Sequence, residues 1–544
     1  MNIKKPTINN ITIWDGVCGM GKTTQAINLI KSITGNKKTY TKNCNKVIFA
    51  TLYRSECFKM ADIEYKYDSN KKTHVPIIVK NRIKYSPAVS RKFLFEFSTT
   101  IPNKNPSNKT NSLEVFKELV KLNKNITTTH SALFQLDEEA LKLVQDYNYH
   151  IIIDEAPQAI NKINFKYGDI LKEDFKTLSD EIGVIHKDSD DLLSWVGDKK
   201  NLYLSRYEDL KKEISNGRCY FYKYDNFHAI IMWRMNPDIF RKFKSTTILT
   251  YLFEGTLFCA YLKLEGISYD LINKTFEEYG INSRVKEFYR FINLYEPRGL
   301  SGTIFDDYSA FTSTWYKKQI EGLKIKTDVD EVISSKIKVP YLIELGKKTK
   351  SFFSKDVTLS NTTVLETKDD IYFSTFLKGR KPNNKHLTDL LKPEKTIINE
   401  RAWTTFKPYR KLILNIPSPN FNEDNFLVYN LRASNDYKHV KSMAFLVNVY
   451  PNTTIKTYLS KHKIKLDSDS YAISELIQWV FRSRIRDGKK INLFIASKRM
   501  RDLYKKWDTD FNILIEMRKD ILDEEYEENQ ISLHNQKLLQ SNMK

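Results

Sequence analysis

The chain lacks the features that mark disulfide-rich, zinc-binding and membrane-spanning proteins. Its five cysteines form no C-x-x-C pair and leave one unmatched: Cys18, Cys44, Cys57, Cys219 and Cys259. A disulfide framework or zinc ribbon is therefore not expected, whereas a reducing cytosol is. No apolar run approaches the ~18 residues that cross a bilayer. No signal peptide, with a charged n-region and an apolar h-region, is evident before the glycine-rich stretch. We therefore predict a soluble, unsecreted, cytoplasmic protein with no membrane partner.

Glycine is also scarce, at 17 of 544 residues, so a local cluster of it is informative. Gly16, Gly19 and Gly21 lie between a β-branched run at 11–14 and an amphipathic stretch at 25–30. Together with Lys22 and Thr23 they meet the G-x-x-x-x-G-K-[ST] spacing of a P-loop. In a chain this poor in glycine, the pattern favours nucleotide binding over an ordinary glycine-rich turn.

The residue types of this stretch suit a triphosphate. The glycines allow backbone N–H groups to face a phosphate, and the helix that follows adds the positive end of its dipole. Lys22 would reach the β and γ phosphates, the Thr23 hydroxyl would bind Mg²⁺, and Thr24 belongs to the same phosphate-binding turn. The predicted cofactors are ATP and Mg²⁺.

A second motif is expected to meet this turn. The apolar run 149–153 ends in Asp154 and Glu155. Asp154 would hold Mg²⁺ through water, and Glu155 would orient or deprotonate the attacking water. By itself an Asp-Glu pair is equally consistent with the solvated end of a strand, but with a P-loop upstream both are expected at one sheet edge. Lys22, Asp154 and Glu155 are therefore predicted catalytic residues.

The charge balance indicates a polyanionic partner. Lysine and arginine number 88 against 66 acidic residues, for a net charge of +22, and each neutralised phosphate releases counterions. Charge alone does not separate nucleic acid from an anionic membrane surface. Thr51 ends the buried run 46–51, and Arg54 follows it. Parallel sheets place ligands at the carboxyl ends of their strands, so both residues would touch a phosphodiester backbone. Taken alone, Arg54 is equally consistent with a solvated loop.

The length allows two to four domains. We predict an α/β fold with parallel sheets and flanking helices, divided into residues 1–280, residues 281–507 and a charged helical tail at 508–544. Insertions are predicted at about 62–112, which prolines interrupt, at about 160–225, which reads as charged and helical, and at about 325–400, which is rich in Lys, Ser and Thr.

A basic helix is predicted over 474–488, ending at a glycine. Gln478, Arg482 and Arg486 recur every four residues and would share one face of it. A solvated basic face is one interpretation. The other is that these cations compensate charge on a γ-phosphate during hydrolysis, as arginine fingers do.

The order of the motifs resembles that of superfamily 2 helicases, and more closely of the DEAD-like helicases that bacteriophages encode. The matching segments are 16–23, 51–56, 129–130, 154–156, 255–256, 432–435 and 478–486, and the phrases at 126–134, 403–407 and 476–479 are similar to phage sequences. The resemblance covers most of the chain apart from the third insertion and the tail. Phe481 replaces the glycine of the last motif, and Ile485 stands at its final arginine, leaving Arg484 or Arg486 to substitute.

The resemblance implies two RecA-like P-loop NTPase domains with ATP in the cleft between them. Gln478, Arg482 and Arg486 would act from the second domain. The residues that would contact successive positions of a nucleic-acid backbone during translocation are Thr51, Arg54, Thr129, His130 and Arg432. The expected function is ATP-dependent translocation or unwinding of DNA, as a single strand or fork, in phage replication or recombination, with possible partners among the proteins of those processes.

Two other functions remain open. A packaging motor of the terminase type also ends a strand in Asp-Glu, but it needs a C-terminal nuclease with clustered carboxylates, and no such cluster is evident between 400 and 507. A nucleotide-dependent switch that binds nucleic acid without unwinding it is the other. Stimulation of hydrolysis by single-stranded DNA separates a motor from a switch.

Overall fold

The chain divides into two compact units, residues 1–280 with 450–474, and residues 281–449 with 475–544. The computed structural model describes residues 11–16, 22–34, 46–70, 73–79, 82–83, 97–100, 112–163, 170–196, 206–215, 218–273, 291–296, 299, 302–321, 340–360, 400–416, 421, 423–430 and 437–510. The division after residue 280 coincides with the boundary predicted from the sequence. Residues 450–474 differ from that prediction, because they pack with the first unit rather than with 281–507.

The first unit is built on a seven-stranded sheet in which every neighbouring pair of strands is parallel. Its strands across the sheet are β16 (Tyr269–Asn273), β1 (Ile11–Asp15), β15 (Ser245–Thr250), β9 (His150–Asp154), β2 (Val47–Thr51), β8 (Asn125–Thr129) and β7 (Phe97–Thr99). Sequences such as VIFAT in β2, buried at every position, are typical of parallel strands that helices cover on both faces.

Helices connect these strands. They are α1 (Lys22–Thr34), α2 (Arg54–Met60), α3 (Ser112–Lys121), α4 (His130–Leu133), α5 (Glu138–Asp146), α6 (Lys172–Lys176), α7 (Glu208–Ser215), α8 (Asp238–Lys242) and α9 (Leu257–Leu264). The apolar faces of α3, α5 and α9 pack against the sheet in one large core, and α1 and α2 contribute to a second core.

The predicted insertion at 62–112 contains regular structure. Two antiparallel hairpins leave the sheet after α2: β3 (Tyr65–Asp68) with β4 (Thr73–Pro76), and β5 (Ile78–Val79) with β6 (Arg82–Ile83). The chain then returns as β7, the edge strand beside β8. The two hairpins agree with the predicted excursion from the sheet, whereas β7 does not, because a strand of three residues is too short a signal to recognise.

The predicted helical insertion at 160–225 is mainly a β lobe between β9 and β15. Its strands are β10 (Ile160–Lys162), β11 (Ile185–Lys187), β12 (Leu193–Trp195), β13 (Cys219–Tyr224) and β14 (Ala229–Arg234), all paired antiparallel. The lobe has a hydrophobic core of its own, around Phe175, Leu210 and Ile231. The dense charge of this stretch, which suggested helices throughout, is divided in the described residues between α6, α7 and the turns and short strands of the lobe.

The second unit contains a four-stranded parallel sheet in the order β17 (Ile292–Tyr295), β20 (Ile491–Ile495), β19 (Ser442–Phe445) and β18 (Arg401–Thr404). Its helices are α10 (Ser313–Glu321), α11 (Pro340–Ser360), α12 (Arg410–Leu414) and a helix over 498–510. Helix α11 lies inside the predicted insertion at 325–400 but buries Leu345 and Phe353 in the core. That part of the insertion is therefore structural, and 361–399 lies outside the described residues. The tail 508–544 is described only to residue 510.

Two further helices follow β19: α13 (Thr453–Lys461) and α14 (Ser468–Val480). Ile455, Tyr458 and Leu459 of α13 belong to the main core of the first unit. Helix α14 ends eight residues earlier than predicted. A turn follows it, and then a 3-10 helix, Arg484–Asp487, which ends at Gly488 with φ +70°. In the part of the chain that the structure describes, no helix is both long and apolar enough to span a bilayer.

Candidate functional site

Three neighbouring strands bring the two predicted motifs of the first unit to one sheet edge. β15 lies between β1 and β9, with Leu249 in register with both Trp14 and Asp154. The ladder continues one step further, because the Gly16 amide donates to the Thr250 carbonyl at 3.1 Å and the Glu155 amide donates to the Leu249 carbonyl at 2.8 Å. Since adjacent strands lie about 4.8 Å apart, the start of the glycine-rich turn and the Asp-Glu pair lie about 10 Å from each other.

The predicted phosphate-binding turn joins β1 to α1. Gly16 is buried at its start, while Gly19 and Gly21 lie outside the described residues. Lys22, Thr23 and Thr24 form the first turn of α1, and their side chains lie outside the described part. That first turn carries no acidic residue, so nothing in it opposes an anion at the helix N-terminus.

Two residues at this edge have left-handed backbones although neither is glycine. Glu155 follows β9 with φ +72°, and Leu252 follows β15 with φ +52°. A side chain in this region costs roughly 1–2 kcal/mol, and such strain concentrates at functional sites. The strain therefore marks the end of β9, which carries the Asp-Glu pair, and the end of β15, which lies between β9 and the strand that leads into the glycine-rich turn.

The turn after β15 is tied to the strand that carries the glycine-rich turn. An oxygen of the Asp15 carboxylate accepts a hydrogen bond from the Phe253 amide at 2.9 Å. Thr250 also ends β15 at this edge. Its hydroxyl is buried and makes no hydrogen bond within the described residues. Thr250 was not singled out from the sequence, because a threonine in a β-branched strand gives no signal of its own.

His130 is buried beside the Asp-Glu pair rather than exposed. Only 4% of it is accessible, and burial lowers its pKa to about 4, against the opposing effect of the Glu155 charge. The ring lies beside the backbone of Ala50 and Asp154, but neither ring nitrogen makes a well-aligned hydrogen bond with a described group. The predicted contact between His130 and nucleic acid is not supported by this burial. Its proximity to Glu155 was not predicted, because the strand β2 separates β8 from β9.

The other residues predicted to contact nucleic acid differ in exposure and in hydrogen bonding. Thr51 is buried, and its hydroxyl donates to the Tyr53 carbonyl at 3.0 Å. Thr129 caps α4 by accepting from the Ala132 amide at 3.2 Å. These two hydroxyls serve the local backbone. Arg54 is exposed at the start of α2, which leaves it available to a ligand, and Arg432 lies outside the described residues.

The segment 255–256, matched to a helicase motif in the sequence, has a structural role. Thr256 caps α9, its hydroxyl accepting from the Cys259 amide at 3.1 Å. Gly255 packs so closely on α14 that a Cβ there would lie 2.5 Å from the carbonyl carbon of Ser470. Thr250, rather than Thr256, ends the strand between the two motifs.

The second unit does not place Gln478, Arg482 and Arg486 on one helix face. Gln478 lies in α14, Arg482 in the turn after it and Arg486 in the 3-10 helix, because α14 ends at Val480. The guanidinium of Arg486 donates from Nε to the Phe481 carbonyl, and Arg484 likewise donates to the Lys490 carbonyl at 2.6 Å. Both arginines therefore stabilise the backbone that follows α14.

Arg482 differs from these arginines. It is only 1% exposed, and its Nε and Nη2 atoms make no hydrogen bond within the described residues. A buried guanidinium with unsatisfied donors is costly, so an anionic or carbonyl ligand would stabilise it. Gln478 is 2% exposed.

Comparison with known proteins identifies a domain in the second half of the chain. The family described as YonV C-terminal Rossmann-like domain matches residues 342–508, which include α11, β18, β19 and β20. A curated relative is the SPbeta prophage-derived uncharacterized protein YonV of Bacillus subtilis (strain 168). It is 25% identical over 399 residues, which cover 71% of this chain and 80% of the relative. The chain is thus an α/β protein with parallel sheets, homologous to YonV and carrying a Rossmann-like domain.

Proposed function

We propose that the first unit is a RecA-like ATP hydrolase and that the protein uses it to move along or unwind DNA. The observation that carries the proposal is the register of β1, β15 and β9, which sets the glycine-rich turn and the Asp-Glu pair at one edge of a parallel sheet. Ligands of open parallel sheets bind at the carboxyl ends of the strands. The left-handed backbone of Glu155 supports the same edge.

The donors at this edge suit a magnesium nucleotide. The carboxylate of Asp154 supplies the hard oxygen ligand that Mg²⁺ prefers, and it lies two strands from the turn that ends in Lys22 and Thr23. Magnesium bound to the nucleotide would neutralise charge on the β and γ phosphates. Lys22 would contact these phosphates and Thr23 the metal, as the P-loop spacing indicates.

The chain's own groups would then prepare water for attack. Glu155 would orient the water or accept its proton. His130, whose lowered pKa keeps it neutral at pH 7, lies close enough to Glu155 to influence its environment without adding a positive charge that would weaken a base. The Thr250 hydroxyl, buried between the two motifs, is available to a phosphate oxygen or to the water.

Hydrolysis of ATP by the full chain tests the proposal. Lys22→Ala is expected to abolish hydrolysis through loss of the phosphate contact, and Glu155→Gln to abolish turnover while retaining ATP binding, since the amide keeps the shape but accepts no proton. Lys31→Ala, at the other end of α1, serves as the control and should hydrolyse normally. Normal turnover in Lys22→Ala would overturn the proposal.

A translocase is distinguished from a switch by its response to nucleic acid. We expect single-stranded DNA to stimulate hydrolysis several-fold, and 3′-tailed, 5′-tailed and forked duplexes to reveal strand displacement. Hydrolysis that no oligonucleotide changes would indicate a switch instead. Cleavage of DNA would indicate a packaging motor. The described strand ends of the second unit do not favour one, since β18, β19 and β20 are followed by Thr405, Leu446 and Ala496, and the single carboxylate in such a position, Glu296 after β17, is not a cluster.

The relative supports a proposal for the cellular setting. YonV is named as derived from a prophage, and we propose that this chain also acts for a phage, on DNA in replication or recombination, in the host cytoplasm. The net charge of +22 suits a polyanion, and binding through the phosphate backbone would weaken as salt is raised. We further propose that the Rossmann-like domain of the second unit is the second RecA-like domain.

A further inference from the structure

The hairpin of β3 and β4 has one face made almost entirely of rings. In its register Tyr67 pairs with His74 and Tyr65 with Pro76. Because side chains alternate along a strand, these four residues share one face, whereas Lys66 and Val75 share the other. The hairpin thus separates an aromatic face from a mixed one.

The rings on this face are held in place from the base of the hairpin toward its tip. Tyr65 stacks on Phe58 of α2, with ring centroids 5.8 Å apart. His74 packs edge-on against both Tyr65 and Tyr67, with centroids at 5.2 and 5.4 Å. Phe58 is fully buried, so the cluster is anchored in the core of the first unit.

The outermost ring of the cluster is open. Tyr67 is 59% exposed, although its edge is already fixed by His74. A ring that is both exposed and held by its neighbours loses little conformational freedom when another flat group stacks on it. Aromatic side chains are enriched at interaction surfaces relative to the rest of a protein's surface.

The charge of the surrounding sequence selects the kind of partner. Between residues 65 and 92 there are eight lysines and arginines and a single acidic residue, Asp68. A flat apolar partner with its own negative charge fits this combination, and proteins that bind single-stranded nucleic acid combine cations for the backbone with aromatic rings for the bases. A protein partner would also use an exposed tyrosine, but a polynucleotide supplies both a flat ring and a negative charge at every repeat.

We propose that the β3–β4 hairpin binds single-stranded nucleic acid, with a base stacked on Tyr67, and that the basic composition of residues 65–92 favours the same polyanion. The proposal rests on the proposed function, since it assigns a contact for the polynucleotide on which hydrolysis would act. The hairpin follows α2 in the sequence, and α2 begins shortly after the end of β2. A movement at the carboxyl end of β2 would reach the hairpin through the packing of Phe58 on Tyr65.

Binding of fluorescent twenty-nucleotide dT and U strands by the full chain tests this inference. Tyr67→Ala is expected to weaken binding about tenfold, within the range that removal of one stacked ring produces, and Tyr67→Trp to restore it. Tyr147→Ala is the matched control, because Tyr147 is also exposed, at 41%, and lies at the end of α5. Its affinity should equal that of the wild type.

Two further measurements separate this inference from the proposed function. Hydrolysis of ATP without nucleic acid should be unchanged in Tyr67→Ala, and a strand carrying 5-iodouridine should crosslink to the peptide 65–76. Wild-type affinity in Tyr67→Ala, or crosslinks only elsewhere, would overturn the inference and leave the hydrolase intact. Binding that depends on Tyr67 in a protein that hydrolyses no ATP would overturn the proposed function and keep the hairpin contact. A wild type that binds neither strand would overturn the inference.

Discussion

At the scale of single residues, His130 links the candidate site to the stability of the fold. Burial lowers the pKa of His130 to about 4, and burial together with the nearby Lys244 charge does the same for His150. Both rings are therefore neutral when folded but take up a proton below about pH 6.5 when unfolded. Stability from these residues is complete above pH 6.5 and is lost as the pH falls toward 4.

We accordingly predict that the free energy of unfolding falls between pH 7 and pH 5, and less steeply in His130→Gln. A fully buried histidine with this shift contributes up to about 3 kcal/mol by pH 4. Urea unfolding at a series of pH values measures the slope. His186→Gln, which replaces an exposed histidine, is the control, and an equal slope in His130→Gln would contradict the assignment.

Arg482 gives a second prediction at this scale. If its unsatisfied donors serve a phosphate during hydrolysis, Arg482→Ala should slow turnover by ~10³-fold, as loss of an arginine finger does, while ATP binding changes little. Arg482→Lys retains the charge but not the forked donors, and it should recover only part of the rate. Circular dichroism verifies folding, and unchanged turnover in a folded Arg482→Ala would assign the residue to packing.

At the scale of elements, the close approach of Gly255 to α14 sets the position of that helix on the first unit. A Cβ at residue 255 would lie 2.5 Å from the backbone of Ser470, and backbone cannot rotate away as a side chain can. We predict that Gly255→Ala lowers the free energy of unfolding by about 1–3 kcal/mol through overpacking. Differential scanning calorimetry measures the shift.

Gly266→Ala is the comparison for that substitution. Gly266 has φ +62° but nothing within 4 Å of its missing Cβ, so alanine there adds only the backbone strain of roughly 1 kcal/mol. A larger loss in Gly266→Ala than in Gly255→Ala would show that conformation, rather than contact with α14, governs this region.

Elements with strong local patterns were predicted well, and those that depend on distant contacts were not. The apolar run at 149–153 and its Asp-Glu ending carry a dense signal, and β9 lies one residue further on, at His150–Asp154. In contrast, the apolar run 425–429 has the pattern of a strand, but within it only Phe426 bridges to Trp403, after a 3-10 turn. The run Ser474 to Gly488 likewise has helical periodicity throughout, yet the helix ends at Val480, where the Arg484 amide turns to the Val440 carbonyl instead. Such a tertiary hydrogen bond leaves no local trace in the sequence.

The candidate site shows the same division. The meeting of the glycine-rich turn and the Asp-Glu pair at one end of the sheet follows from apolar patterns and the rule that ligands bind at the carboxyl ends of parallel strands. The burial of His130 next to Glu155 and the caps made by Thr129 and Thr256 depend on how separate segments pack. Chemistry-bearing residue types could thus be recognised in the sequence, but whether a hydroxyl faces a ligand or the backbone could not.

At the scale of the whole molecule, the first unit is completed by a segment from far along the chain. In α13, Tyr458 packs edge-on against Tyr222 with centroids 5.1 Å apart, and Lys461 pairs with Asp191 at 3.3 Å. Ile455 and Leu459 are almost fully buried in the same core. The first 280 residues alone therefore leave part of their apolar surface uncovered.

We predict that a fragment of residues 1–280 binds the dye ANS and unfolds at a lower temperature than the same fragment joined to residues 450–474 by a flexible linker. Replacing Tyr458 and Leu459 by serine in the joined fragment should remove its advantage, since the helix would lose its apolar face. Equal melting temperatures for the two fragments would mean that α13 adds no stability.

The position of β15 governs the order in which this molecule can assemble. β1 and β9 become neighbours of a common strand only when residues 245–250 insert between them, and the lobe of 160–234 must be synthesised first. A nascent polypeptide emerging from the ribosome thus carries its glycine-rich turn long before the sheet can close around it. Such late, long-range pairing makes folding slow, and it leaves apolar strands in the early half of the chain exposed until β15 has been synthesised.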